Sequence, residues 1–325
     1  MPRNIFWCFI FFAVLFLVGC QFSPPTPTLI PVPPTFTPTL TAIPTLVPSP
    51  QPTPTPFYSR VENDVTYCTV NGDALKLDLY FPKTLNQTFA PVALNVHGGS
   101  WSNGDKKENE TSRDFSAFTA HGYIVAAVNY RHAPAHKFPA QIQDVKCAVR
   151  FLRANALKYR IDANRIGAFG CSAGGHLVAM LGLTDLTAGF DGGEYADFSS
   201  RVQAVIAMSA PTDLTLYNPS RLDMLERVFG ATSITDTVLT NFSPVHYISK
   251  NAPPFLIIAG DADKVVPPRQ SNELFDRLKA EGITTEMLLV KNGDHCLLAD
   301  DVTMTPSRDQ VSQVMVNFFD QMLRK

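Results

Sequence analysis

The chain has 325 residues, is 45% hydrophobic and carries a formal net charge of −2. That length supports one sizeable core, and the lack of a basic excess argues against a nucleic-acid partner. Cysteines and histidines are scattered rather than set at metal-ligand spacings, so no metal or other cofactor is expected.

At the start, Arg3 precedes an uncharged apolar run from Ile5 to Val18 that ends Leu17-Val18-Gly19-Cys20. A positive start and a short apolar stretch make an export signal, too short for a transmembrane span of about 20 residues. The ending resembles a bacterial lipobox, in which the cysteine is lipidated and becomes the mature N-terminus. Residues 1–20 are therefore expected to be a lipoprotein signal, with Cys20 the lipidation site. The protein would be exported and lipid-anchored on the outer face of a bacterial membrane. An ordinary signal peptide or an uncleaved short anchor is the alternative. Residues 21–57 follow as a Pro/Thr-rich linker: from Ser23 to Pro56 it holds thirteen of the chain's 26 prolines and no charged residue. Such a segment cannot bury a core, and extended polyproline II would let it reach roughly 100 Å.

The domain, residues 58–325, alternates strands and helices. Val65 to Val70 and Leu75 to Phe81 predict a hairpin turning at Asn71-Gly72-Asp73. Val92 to Val96 is a short strand, followed by a helix over Thr111 to His121 and a strand from Ile124 to Val128. A long helix runs from Phe138-Pro139 to about Tyr159, with Ile142, Val145, Ala148, Val149 and Leu152 on one face. Ile166 to Phe169, Val202 to Met208, Phe255 to Ala259 and Glu286 to Val290 read as further strands, with helices over His176 to Leu183, Ser271 to Leu278 and Gln310 to Leu323. This order predicts an α/β fold: a mostly parallel sheet with an antiparallel start and helices on both faces. The weakly patterned stretch from Asp213 to Lys250 is expected to be a small insertion over the active site.

Between the strand ending at Phe169 and the next helix lies Gly170-Cys171-Ser172-Ala173-Gly174-Gly175. Strand, G-x-S-x-G, helix is the arrangement of a nucleophile elbow: a sharp turn lifts the serine, its neighbours must be small, and the helix N-terminus favours developing negative charge. His97-Gly98-Gly99-Ser100-Trp101, Asn129-Tyr130-Arg131, Phe138-Pro139-Ala140 with Asp144, Asp263-Lys264-Val265-Val266-Pro267 and Gly293-Asp294-His295 accompany it in order. With these motifs the chain, from Val61 to Leu323, resembles the α/β-hydrolase superfamily. Within it, the resemblance is to the esterase/lipase group that includes bacterial bifunctional acetylxylan and feruloyl esterases.

Ester hydrolysis needs a nucleophile, a base, a group to orient the base and donors for the oxyanion. Ser172 is the expected nucleophile. The order Ser, acid, His places the base late in the chain: His295 is favoured over His246 in the insertion and over His176, which reads as a packing or cap residue. Asp263, Asp261, Asp213 and Asp294 compete for the acid; the resemblance, through its Asp-x-x-Val-Pro continuation, favours Asp263. Ala173 N–H, following the nucleophile, is one oxyanion donor, and the resemblance assigns the others to Gly99 and Ser100. His97 reads as structural, Trp101 as either a pocket wall or a packed indole, Tyr130 as core or site, and Arg131 with Asp144 as a buried pair or a solvated arginine.

Because Ser172 and His295 must meet for catalysis, Cys171 and Cys296 beside them are candidates for a disulfide. The same flanking resembles fungal tannases and feruloyl esterases, in which such a bridge joins the two catalytic loops. Cys68 and Cys147 are expected to be free core thiols. The function implied is a serine carboxylesterase acting on small acyl esters, acetyl or feruloyl-type, on a small molecule or carbohydrate. A peptidase or amidase on the same fold is an alternative, separated by relative turnover of ester and amide analogues. A catalytically inactive binding module is another, separated by whether any ester turnover is lost on Ser172→Ala.

Overall fold

The computed structural model describes residues 58–84, 88–107, 110–298 and 303–324. The expected signal with Cys20, and the Pro/Thr-rich linker up to residue 57, lie outside the described residues.

The chain first turns back on itself at Asn71-Gly72, where both residues have positive φ, 53° and 93°. That geometry matches the right-handed twist of the strands it joins, β1 (Tyr58–Val70) and β2 (Asp73–Pro82), which pair antiparallel. There follow β3 (Ala90–Val96), α1 (Asp114–Ala120), β4 (Ile124–Val128), α2 (Ala140–Ala154), α3 (Ala156–Tyr159), β5 (Ile161–Cys171), α4 (Ala173–Leu183) and β6 (Ala204–Met208). The remaining elements are α5 (Leu222–Phe229), α6 (Thr237–Asn241), β7 (Phe255–Gly260), α7 (Arg269–Ala280), β8 (Thr285–Val290) and α8 (Arg308–Leu323). The eight strands form one sheet in the order β1-β2-β4-β3-β5-β6-β7-β8. The first two are antiparallel to their neighbours and the rest run parallel, as the alternation of strands and helices predicts.

Alternate residues of the parallel strands serve two apolar layers. Val92, Leu94 and Val96 join Ile142, Leu177 and Leu274 from α2, α4 and α7. Ala93, Phe169 and Ile206 face the opposite layer, with Phe118 of α1 and Met315 and Phe319 of α8. Burial on both sides explains why these strands read as continuous apolar runs rather than alternating ones. The helix expected from Phe138 to Tyr159 is divided. Asn155, at φ −106°, interrupts it, and both its backbone N–H and its side-chain amide donate to the Phe151 carbonyl, each at 2.9 Å.

The 213–250 segment is more ordered than its sequence pattern suggests. It carries α5 and α6, and its Phe229 and Phe242 pack with Phe138 and His176. Gln270 at the start of α7 fixes its first residues, accepting from the Thr212 and Asp213 N–H groups at 2.9 and 2.7 Å and donating to the Asp213 carbonyl.

Four cysteines pair. Cys171 bridges Cys296 across a Cα separation of 5.8 Å. Cys68 and Cys147, expected free, are also bonded, at a Cα separation of 6.5 Å. The correction has a spatial cause: α2 packs beside β1, bringing together thiols 79 residues apart in sequence. In the chain-entropy account, loops of 79 and 125 residues allow each bridge up to about 4–5 kcal/mol. Non-reducing peptide mass spectrometry of the unfolded protein should recover both linked peptide pairs. Recovery of alkylated Cys68 and Cys147, or of alkylated Cys171 and Cys296, would remove the corresponding bridge.

Candidate active site

β5 ends at Cys171 and α4 begins at Ala173, leaving Ser172 alone between them at φ 56°, ψ −123°. A non-glycine residue there is strained and holds only if its surroundings fix it. They do so by hydrogen bonds: Ser172 N–H donates to the Met208 carbonyl on β6 at 3.0 Å, and its carbonyl accepts from His176 N–H at 3.0 Å. Close packing enforces the same turn, since a Cβ on Gly174 would lie 2.0 Å from the Val96 carbonyl oxygen at the end of β3.

The loop leaving β3 faces this turn. Gly99, Ser100 and Trp101 all have positive φ, 102°, 50° and 57°. The Gly99 carbonyl accepts from Ser102 and Asn103 N–H, each at 3.0 Å, closing a tight turn. A Cβ on Gly99 would fall 2.2 Å from the Asn103 carbonyl oxygen. Gly98 N–H goes to Glu110 Oε2 at 3.3 Å. Among the described residues, the N–H groups of Gly99, Ser100 and Ala173 meet no acceptor. Ala173 lies at the N-terminus of α4, where the helix dipole favours an anion.

Trp101 is not a pocket wall: its indole is 1% exposed and donates from Nε1 to His176 Nδ1 at 3.2 Å. His176 in turn faces the Phe242 carbonyl through Nε2 at 2.8 Å. Both ring nitrogens are thereby engaged in a neutral imidazole, which ties the loop after β3, α4 and the 213–250 segment together. Burial pushes its pKa down to about 4, against the opposing Phe242 hydrogen bond. His97 is also structural. It stacks on Tyr130 with ring centroids 4.3 Å apart, and burial lowers its pKa to about 4 against its Gly98 hydrogen bond. Tyr130 is buried, and its hydroxyl donates to the His97 and Gly98 carbonyls. Arg131 and Asp144 form a bidentate pair, with contacts of 2.7 and 2.9 Å, that joins the segment after β4 to α2.

Of the acid and base candidates, one pair meets. His295 Nδ1 lies 2.9 Å from Asp263 Oδ2, with the Asp263 side chain buried and the imidazole 20% exposed. Asp263 Oδ1 accepts from Val265 and Val266 N–H, each at 2.9 Å. Burial opposes the charge on Asp263, but the His295 contact and these two donors outweigh it and hold the carboxyl below the usual aspartate range. The competitors are occupied elsewhere. Asp261 is exposed and accepts from Asn292 N–H, Asp213 closes its own turn on Thr215, Asp294 accepts from Leu298 N–H, and His246 is exposed on a 3-10 turn of the 213–250 segment.

The Asp263–His295 pair is joined to the elbow from two sides. Cys296 is covalently bonded to Cys171, and its N–H donates to Ser209 Oγ at 3.3 Å. Ser209, at the tip of β6, adopts φ 43° and donates its own N–H to the Ile258 carbonyl on β7. Sequence reasoning missed Ser209 and Gln270. A serine after an apolar strand and a lone helical glutamine carry no local signal of these long-range contacts.

Fold and site together define an α/β-hydrolase. The chain belongs to the BD-FAE family, whose model matches residues 77–278. It is similar to Esterase LipC of Mycobacterium tuberculosis (strain ATCC 25618 / H37Rv), at 35% identity over 210 residues, covering 63% of this chain and 52% of that protein. The chain spans about half the length of the first curated relatives it matches, 52–55%. Among solved structures, a truncated carbohydrate esterase from gut microbiota superposes with a TM-score of 0.72 at 29% identity, covering 83% of this chain and 98% of that one. A bifunctional GH43-CE protein of Bacteroides eggerthii gives a TM-score of 0.72 at 31% identity, covering 81% and 38%.

The lowered histidine pKa values set a pH dependence of stability. A histidine held neutral by the fold contributes fully above its unfolded pKa of about 6.5 and loses that contribution as pH falls toward its folded value. His97 and His176, both near 4, should therefore make the domain lose stability progressively from about pH 6.5 to pH 4. Urea midpoints measured at intervals across that window should fall, and His176→Asn should reduce the slope. A flat profile would contradict the assignment.

Proposed function

We propose that the protein is a serine carboxylesterase that removes small acyl groups, acetyl or feruloyl-type, from carbohydrate or another small alcohol. The observation that carries this reading is the His295 loop, hydrogen-bonded to buried Asp263 and bridged to the serine elbow by Cys171–Cys296. With Nδ1 turned to Asp263, His295 presents Nε2 to take the Ser172 proton as the hydroxyl attacks the ester carbonyl. The tetrahedral oxyanion is received by the N–H groups of Gly99, Ser100 and Ala173, at the positive end of α4. His295 then returns the proton to the departing alcohol, leaving an acyl-Ser172 intermediate. Water, deprotonated by the same imidazole, hydrolyses that intermediate. Asp263 holds the imidazole in the required tautomer and stabilises its charge. A carbohydrate substrate is supported by the two structural relatives, one a carbohydrate esterase and the other a GH43-CE protein.

On a chromogenic acetyl ester, Ser172→Ala and His295→Ala should each lower kcat by a factor on the order of 10⁵ or more, without adding in the double variant. Asp263→Asn should cost about 10⁴, while Asp261→Asn and Asp213→Asn should stay near wild type. Normal turnover by Asp263→Asn would transfer the acid role to another residue.

The proposed enzyme works outside the cell, anchored by lipid on Cys20 to the outer face of a bacterial membrane, with residues 21–57 as spacer. The run from Arg3 to Leu17-Val18-Gly19-Cys20 supports this. Cys20→Ser should move the activity from the membrane fraction to the soluble fraction. A native protein lacking acyl mass would end the lipoprotein assignment.

A further inference from the structure

Beside the turn that follows Asp263 lies a cavity of about 330 Å³, formed where the start of the 213–250 segment meets the stretch between β7 and α7. That volume is at the lower end for ligand pockets, about 300–1,000 Å³. Its lining includes Tyr217, Arg221, Lys264, Val265, Val266 and Arg269. Val265 and Val266 are the residues whose N–H groups hold Asp263, so one wall of the cavity is the backbone that positions the proposed catalytic acid. On the opposite wall, burial pushes the Tyr217 phenol pKa up, Arg221 draws it down and Asp263 adds to the rise.

The lining carries three cations and no carboxylate. Elsewhere, several buried cations sit against carboxylates, as in Arg131 with Asp144, Lys146 and Arg150 with Asp191, and Arg308 with Asp114. Among the described residues, Arg221, Lys264 and Arg269 have no acidic partner; Arg269 instead donates to the Leu216 carbonyl, which fixes it across the cavity. The nearby carboxylates are committed: Asp213 to Thr215, Asp263 to His295, and Glu273 to Arg277. All three cations belong to exposed residues; gathered around one concavity, like charges raise a positive local potential that draws an anion, and a concave wall concentrates that field.

The geometry points to a subsite for a carboxylate of the substrate itself: the preferred ester is an acylated oligosaccharide bearing a uronic acid. This rests on the esterase reading above and names its substrate class. One acidic sugar fits the cavity, with its carboxylate among Arg221, Lys264 and Arg269. The scissile ester would then lie on a neighbouring sugar, toward His295.

The test compares acetylated xylo-oligosaccharides with and without a glucuronic acid branch, using the full-length protein. At low salt, kcat/KM should favour the acidic substrate about tenfold, through KM. An exposed ion pair contributes only a factor of a few, so the preference should need more than one cation. Arg221→Gln/Lys264→Gln should bring the acidic-to-neutral ratio close to one. Sodium chloride at about 0.5 M should do the same for wild type by screening. A wild-type ratio near one, or a preference that survives the double variant, would overturn the proposal. The neutral substrate and a chromogenic acetyl ester read the esterase activity separately. If neither is cleaved, the esterase reading has failed, and the subsite is judged by calorimetry of the deacetylated, glucuronic-acid-bearing oligosaccharide. Binding that Arg221→Gln/Lys264→Gln abolishes would sustain the site; no binding, or binding equal in both proteins, would refute it.

Discussion

The site rests on one strained residue. Ser172 sits at φ 56°, ψ −123°, a conformation a lone peptide would leave, and the sheet denies it the room to relax. β3 lies so close beneath the turn that Gly174 can carry no side chain, while Met208 on β6 takes the Ser172 N–H. The position of Ser172 is therefore set by two neighbouring parallel strands and not by its own loop. The loops that complete the site are fixed by the same strands: the one with free N–H groups leaves β3, and Ser209, which holds Cys296, ends β6. Parallel strands make this possible, because all their C-terminal ends open on one side of the sheet.

Around this centre, several buried polar groups connect elements. Arg131–Asp144 braces the loop after β4 against α2. Lys146, fully buried on α2, reaches Asp191, the Thr184 carbonyl and Ser200. The bidentate Arg308–Asp114 pair locks α8 to α1 on the other face. Such pairs carry a desolvation cost that makes them weak net sources of stability, whereas loss of one partner strands the other and costs about 3–5 kcal/mol. Their effect is to fix one arrangement of helices beneath the site. His176 does the same without charge, and its low pKa is the consequence of being buried for that purpose.

What could be read from the sequence was what is encoded locally. The elbow is legible because glycine, serine and glycine answer to contacts within one turn. Asp263 is legible for a related reason: its carboxylate accepts from residues two and three positions on, and the Asp-x-x-Val-Pro pattern records that turn. The pairing of Cys171 with Cys296 followed from two loops that had to meet. Cys68 and Cys147 offered no such argument, since nothing in either segment says that α2 lies beside β1. Trp101 could have lined a pocket or packed beneath one until His176 appeared 3.2 Å from its indole nitrogen. The helices of the 213–250 segment are short and take their order from aromatic packing against Phe138 and His176, a tertiary cause that periodicity does not register.

The Cys68–Cys147 bridge also determines how the domain bears force. β1 lies at the edge of the sheet and is the first strand of the described chain. Tension on the N-terminal segment enters there. An antiparallel edge strand pulled from its free end peels like a zipper, one pair of hydrogen bonds at a time, beginning at Tyr58 opposite Pro82. Peeling stops at Cys68, where a covalent bond passes the load to α2 and the centre of the fold. At most β1 is stripped from β2 between Tyr58 and Cys68, and the strands beneath Ser172 are never reached. Without the bridge, unzipping continues through Asn71-Gly72 into β2, the strand that flanks the parallel core.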